Sequence, residues 1–227
     1  MRPLLRLIAL LCLCLGYALP AQAAVTITFW SHELGNSFPH AFFTLRGIPE
    51  AGGAPVDTNA GFTAKSVSPA LLMGPVAGKL DIARPGYVAG SDAQFSVMMS
   101  DAQYVAVLRL VEAWSEGKPD SVYRLSDHNC VTFVKEAARI VGLIGLDQPK
   151  LMKKPRSYLK AIQAENPGRV TTIGLHGKEY LASLPPISSA QATDTHSTTV
   201  VGTDAPPSAV HGAGTSSTTS STDSNRG

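Results

Sequence analysis

A cysteine stands at position 130 in "SDHNCVTFVKEAARIVGL", directly after Asn129 and two residues after His128. Val131, Val134, Ala138 and Val141 follow it at helical spacing, Gly142 ends the run, and Ser126 or Asp127 is placed to cap it. The spacing predicts a helix with Cys130 in its first turn. There the unpaired backbone N–H groups and the helix dipole favour a thiolate, and the same N–H groups suit an oxyanion forming on an attacked carbonyl. Asp127 opposes this, because a nearby negative charge raises a thiol pKa unless the carboxylate is turned away.

Such a nucleophile needs a base, and histidine is the usual one. His128 is too close in sequence and points around the helix axis away from Cys130. His40, in "GNSFPHAFFTLRG", follows Pro39 at the mouth of a β-rich run, from which an imidazole can be presented rigidly to a neighbouring helix end. His32, in "SHELG", falls at the bend between the first two strands. Zinc held by His32, His40, His128 and Cys130 lacks paired ligand spacing, so no metal or cofactor is expected.

The elements that must position these residues read as α+β, a small antiparallel sheet packed against helices. "VTITFW" and "HAFFTLRG" read as two strands, and "FTAKSV" as a short third. Residues 47–61, rich in Gly, Pro, Ala and Asn, read as loop, and 68–90 as irregular chain with a brief strand near "KLDIA". Ser100, with Gln103 three residues on, forms a capping box for a helix whose apolar stripe includes Tyr104, Val107, Leu108, Val111 and Trp114. Met98 and Met99 read as core filling. "SVYRL" reads as a strand leading to Cys130, Pro155 to Asn166 as a helix, and "VTTIGLHGKEYLASL" as a hairpin turned at His176-Gly177.

The 227 residues carry a formal net charge of +2 and 16% charged side chains, a balance that points away from nucleic acid. Arg2 and Arg6 flank "LLRLIALLCLCLG", and "LPAQAA" supplies small residues at Ala21 and Ala23, the pattern of a signal peptide over 1–23. Its apolar run is shorter than the ~20 residues a spanning helix needs, so the mature chain is expected without a transmembrane segment, periplasmic or secreted. Cys12 and Cys14 would leave with the leader. Cys130 is then the lone cysteine, with no internal disulfide to form. Residues 185–227 are almost wholly Ser, Thr, Ala, Gly, Pro and Asp and read as a disordered tail, which leaves one domain over 24–184.

"PHAFFTLRG" early in the domain and "HNCVTFV" opening a helix late resembles the circularly permuted branch of the papain-like thiol hydrolases. That superfamily includes bacterial cell-wall cysteine peptidases and lecithin retinol acyltransferase. Asn129-Cys130 matches its Asn-Cys pair, and His40 its strand-opening histidine, with Pro39 where glycine is usual. The resemblance implies a permuted papain-like fold and an exported peptidase or amidase, with Cys130 as nucleophile and His40 as base. The substrate would be a peptide or amide, cell-wall peptide among them. It also implies a third residue that orients the imidazole, for which Thr63, Ser66 and Ser68 are the nearby choices, none of them the family's usual Asn, Asp or His, with Asn59 close by but on the loop side. The alternative is a catalytically inactive binding module on the same fold.

Overall fold

The computed structural model describes residues 24–33, 38–66 and 68–187. Residues 1–23, expected as a signal peptide, and residues 188–227 of the expected tail 185–227 lie outside the described residues. Among the described residues no helix is long and apolar enough to cross a membrane.

The class is α+β. Strands β1 (Val25–His32), β2 (His40–Gly47), β3 (Val56–Ala64), β4 (Val76–Asp81), β5 (Asp92–Met99), β6 (Val122–Tyr123) and β7 (Thr171–His176) form one antiparallel sheet, ordered β6-β4-β3-β2-β1-β5-β7. The helices are α1 (Ala70–Met73), α2 (Pro85–Ala89), α3 (Asp101–Ala113), α4 (Cys130–Ile140), α5 (Pro155–Glu165) and α6 (Gly177–Ser183).

Strand alternation decides which side chains meet the helices. Ala41, Phe43 and Leu45 of β2 join Ile27 and Phe29 of β1 in the main core with Phe133 and Val134 of α4 and Leu159 and Ile162 of α5. Phe43 stacks on Phe133 with ring centroids 5.3 Å apart, which pins α4 across β2. Burying one such ring contributes about 1.5–3 kcal/mol. On the other face Trp30 and Phe42 stack at 5.9 Å and form a smaller cluster with Val88 of α2 and Ala93.

Four local expectations are corrected. Residues 56–61 are strand, not loop, because pairing with β2 outweighs the poor strand propensity of Asp57 and Asn59. The span 68–90 holds the helices α1 and α2 where irregular chain was expected, while β4 takes in the brief strand expected near "KLDIA". β5 lies beside β1 where no strand was expected, with Met99 buried but Met98 exposed. At His176-Gly177 the chain enters α6 instead of turning back as a hairpin. The backbone there passes so close to α2 that a Cβ on Gly177 would lie 2.3 Å from the Val88 carbonyl oxygen, and the Gly177 N–H donates to Ser91 O at 2.6 Å.

Candidate active site

Asn129, rather than Ser126 or Asp127, caps α4. Its Oδ1 accepts the N–H groups of Val131 at 2.8 Å and Thr132 at 3.1 Å, while its Nδ2 donates to the carbonyls of Leu125 and Met152, each at 2.9 Å. Both sides of this buried amide are thereby committed, and the helix start is tied to the chain at Met152. Cys130 becomes the first helical residue. The Asp127 carboxylate is turned outward to Arg124, 2.8 Å away, and that partner holds its pKa below the usual value.

The Cys130 thiol is buried, with the backbone N–H groups of Ala41, Val131 and Cys130 itself near enough to favour its anion, although that of Val131 already donates to Asn129 Oδ1. Burial pushes the thiol up to about 11, and the three N–H donors only moderate the rise. The helix terminus therefore does not leave a resting thiolate: desolvation of the anion is the larger effect. Tyr123 lies beside the thiol, its phenol pushed above its ordinary range by burial and by the negative charge Cys130 would carry.

Ala41 lies directly after His40 in β2. Ala41 faces α4, so by alternation His40 falls on the opposite side, where its ring lies 6.0 Å from that of Phe42. His40 and Cys130 nevertheless line one cavity of about 450 Å³ at the start of β2. Among the described residues no hydrogen bond joins the two. Burial pushes the imidazole down to about 4, Asp81 pulls it up, and His32 adds to the lowering. Part of His40 remains open to the cavity.

Asp81 was not among the residues expected from sequence, and it lines the same cavity. Gly61 of β3 pairs with Phe42 on one side and with Asp81 on the other, so all three positions share the His40 face. A Cβ on Gly61 would stand 2.5 Å from His40 Nε2, so the imidazole lies over a bare stretch of backbone between β2 and the Asp81 strand. Of the expected orienting residues, Thr63 lines the cavity. Asn59 is engaged elsewhere, its amide exchanging hydrogen bonds with the backbone of Ala83 at 2.6 and 3.1 Å. Ser66 and Ser68 are exposed and away from the cavity lining.

The other histidines have separate engagements. His32 ends β1 opposite His40, stacks on Tyr87 at 4.2 Å, and places Nδ1 3.0 Å from Ser91 Oγ. His128 stacks on Trp114 at 4.0 Å with Nε2 3.0 Å from the Asp120 carbonyl oxygen. Among the described residues no group of three or more His, Cys, Asp or Glu is arranged to hold a metal ion.

The low His40 pKa makes stability fall in acid. The unfolded chain takes the proton near 6.5 while the folded chain resists until about 4, so the full stability present above 6.5 is lost as pH falls between those values. The loss reaches about 3 kcal/mol. Urea midpoints from pH 7 to 4 for wild type and His40→Gln check this: the wild type should lose about that much more than the variant, and parallel curves would show a solvated imidazole. No family model, no curated protein and no solved structure matches this chain.

Proposed function

We propose that the chain is an exported cysteine hydrolase of peptidase or amidase type on a circularly permuted papain-like fold. The observation that carries this reading is one cavity shared by a helix-terminal thiol, an imidazole and a carboxylate, with the backbone N–H groups of Ala41 and Cys130 near the sulfur. At rest the thiol and imidazole are both neutral. On substrate binding His40 takes the Cys130 proton, the sulfur attacks the carbonyl carbon, and the Cys130 N–H, the helix-start donor not already bonded to Asn129, meets the developing oxyanion. His40 then protonates the leaving amine. Water, deprotonated by His40, releases the acyl group and restores the thiol. Asp81 holds the imidazole in register and stabilises its cationic form.

Two reactions of Cys130 test this together. Iodoacetamide should alkylate it about 100-fold more slowly than a free thiol at pH 7.5, because a pKa near 11 leaves little thiolate. A substrate-like acyl donor, p-nitrophenyl butyrate, should nevertheless leave a butyryl adduct on Cys130, seen by mass spectrometry in wild type and absent from Cys130→Ala. A thiol that reacts with neither until the chain is denatured would hand the fold to the alternative, a binding module with a packed cysteine. The neutral resting pair and the missing sulfur–imidazole hydrogen bond are the observations that favour that alternative.

A further inference from the structure

A second cavity, of about 640 Å³, opens on the face of the sheet that carries Trp30 and Phe42, away from α4 and α5. Its volume is within the ~300–1,000 Å³ of small-ligand sites. Alternation along β1 turns Thr26, Thr28 and Trp30 to this face. The register then sets Thr28 beside Thr44 of β2, and Thr26 beside Arg46, with Asp57 of β3 beyond it. Pro85 of α2 and Leu181 of α6 contribute the apolar side. The two cavities share no lining residue. Arg46 lies about 20 Å along β2 from His40 at ordinary strand rise, with the stacked Trp30 and Phe42 rings between.

The floor offers hydrogen-bonding groups that the fold does not use up. Trp30 Nε1 donates to Thr44 Oγ1 at 2.9 Å, which leaves the Thr44 hydroxyl hydrogen to be donated, and the Thr26 hydroxyl makes no hydrogen bond among the described residues. Arg46 donates to the Pro185 carbonyl at 2.7 Å and stands 3.8 Å from the Asp57 carboxylate, which is 71% exposed. Among the lining residues Arg46 is the one cation and Asp57 the one anion, so the cavity carries no net charge and does not select an ionic ligand. An extended peptide has no strand edge to join, because β1, β2 and β3 are each paired on both sides. An alkyl chain would strip water from the hydroxyls and the ion pair without replacing its hydrogen bonds. What fits is a compact neutral molecule with hydroxyls on one side and C–H groups on the other.

We propose that this second cavity is a binding site for a neutral sugar, a single pyranose or a disaccharide. The sugar hydroxyls accept from Thr26, Thr44 and the Arg46 guanidinium and donate to the Asp57 carboxylate. The bonds to Arg46 and Asp57 are charge-assisted and about twice as strong as neutral ones. The C–H face of the ring packs on Leu181 and Pro85. No covalent bond is made or broken there, and Cys130 takes no part, so the proposal stands whether or not the chain is a hydrolase.

The chain's 2 tryptophans supply a probe and its control. Trp30 lines the cavity through its bond to Thr44, whereas Trp114 stacks on His128 in the main core on the other side of the sheet. In proton–nitrogen correlation spectra of the chain titrated with glucose, galactose, mannose and maltose, the Trp30 indole N–H signal should move to saturation with at least one sugar while that of Trp114 stays in place. Thr26→Val keeps the branched side chain that β1 favours, and Asp57→Ala removes an exposed carboxylate. Each should weaken the sugar that binds about tenfold. Cys130→Ala should bind it as the wild type does. No saturable movement of the Trp30 signal with any of the four sugars overturns the proposal. Equal movement of both indole signals marks a general effect of dissolved sugar and overturns it too. An affinity that either Thr26→Val or Asp57→Ala leaves unaltered places the sugar elsewhere. A Trp30 signal moved by inorganic phosphate and by none of the sugars would assign the cavity to an anion instead.

Discussion

His40→Ala should slow acylation of Cys130 by p-nitrophenyl butyrate about 1,000-fold, the largest single effect expected of any residue other than the nucleophile. A general base contributes about 100- to 10,000-fold, and here its role is unusually exposed to test because the thiol, pushed up to about 11, has little thiolate of its own to fall back on. Asp81→Asn should cost about tenfold. Asp81 raises the His40 pKa, so the acid limb of the rate profile, which follows loss of neutral imidazole near 4, should move to lower pH in that variant. In the double variant Asp81→Asn adds nothing to His40→Ala, since a carboxylate that acts through the imidazole has nothing left to position. Independent, multiplying losses would show that Asp81 touches the reaction by another route. A His40→Ala chain that is acylated at the wild-type rate would remove the base assignment altogether.

What sequence reveals and conceals here follows from which interactions are local. The start of α4 is visible because Val131, Val134, Ala138 and Val141 share one face, and packing against β2 requires that face. Its cap is not visible. Ser126, Asp127 and Asn129 are all capping types, and the choice among them is made by the Leu125 and Met152 carbonyls that engage the Asn129 amide, the second of them 23 positions away. β5 has the right alternation in Ala93, Phe95, Val97 and Met99, but Gln94 and Ser96 between them are buried too, Gln94 donating to Ser31 Oγ at 3.0 Å. The polar half of that alternation stands in the sequence, so β5 itself was legible; what the pattern does not tell is that the face carrying Gln94 and Ser96 is covered as well. The resting protonation of Cys130 is hidden for a similar reason: the helix terminus is a local feature, whereas the burial that outweighs it comes from β2 and the cavity wall. His40 could be singled out from its place after Pro39, but Asp81, two strands away, meets it only through the register of β3.

Gly61 makes that register testable, and Gly61→Ala should separate catalysis from stability. The new methyl group would lie 2.5 Å from His40 Nε2, closer than real Cβ contacts allow, and 3.1 Å from Phe42 Cβ, a tight contact that a shift of a few tenths of an ångström relieves. The nearest obstacle is the far end of a rotatable side chain at the mouth of a strand, so the imidazole can swing clear without moving the sheet. Alanine also lowers the conformational freedom of the unfolded chain relative to glycine, an effect of about 0.4–1 kcal/mol in favour of the folded state. Net stability should therefore stay within about 1 kcal/mol of wild type in urea unfolding. The displaced ring is another matter, because a shift of about 1 Å in a reacting group can cost 100-fold in rate. Acylation of Cys130 should fall by about that factor, and the acid loss of stability tied to the buried imidazole should shrink as the ring moves toward solvent. A Gly61→Ala chain that keeps its acylation rate while losing several kcal/mol would mean that the glycine serves strand packing against Phe42, and that the bare backbone between His40 and Asp81 has no catalytic purpose.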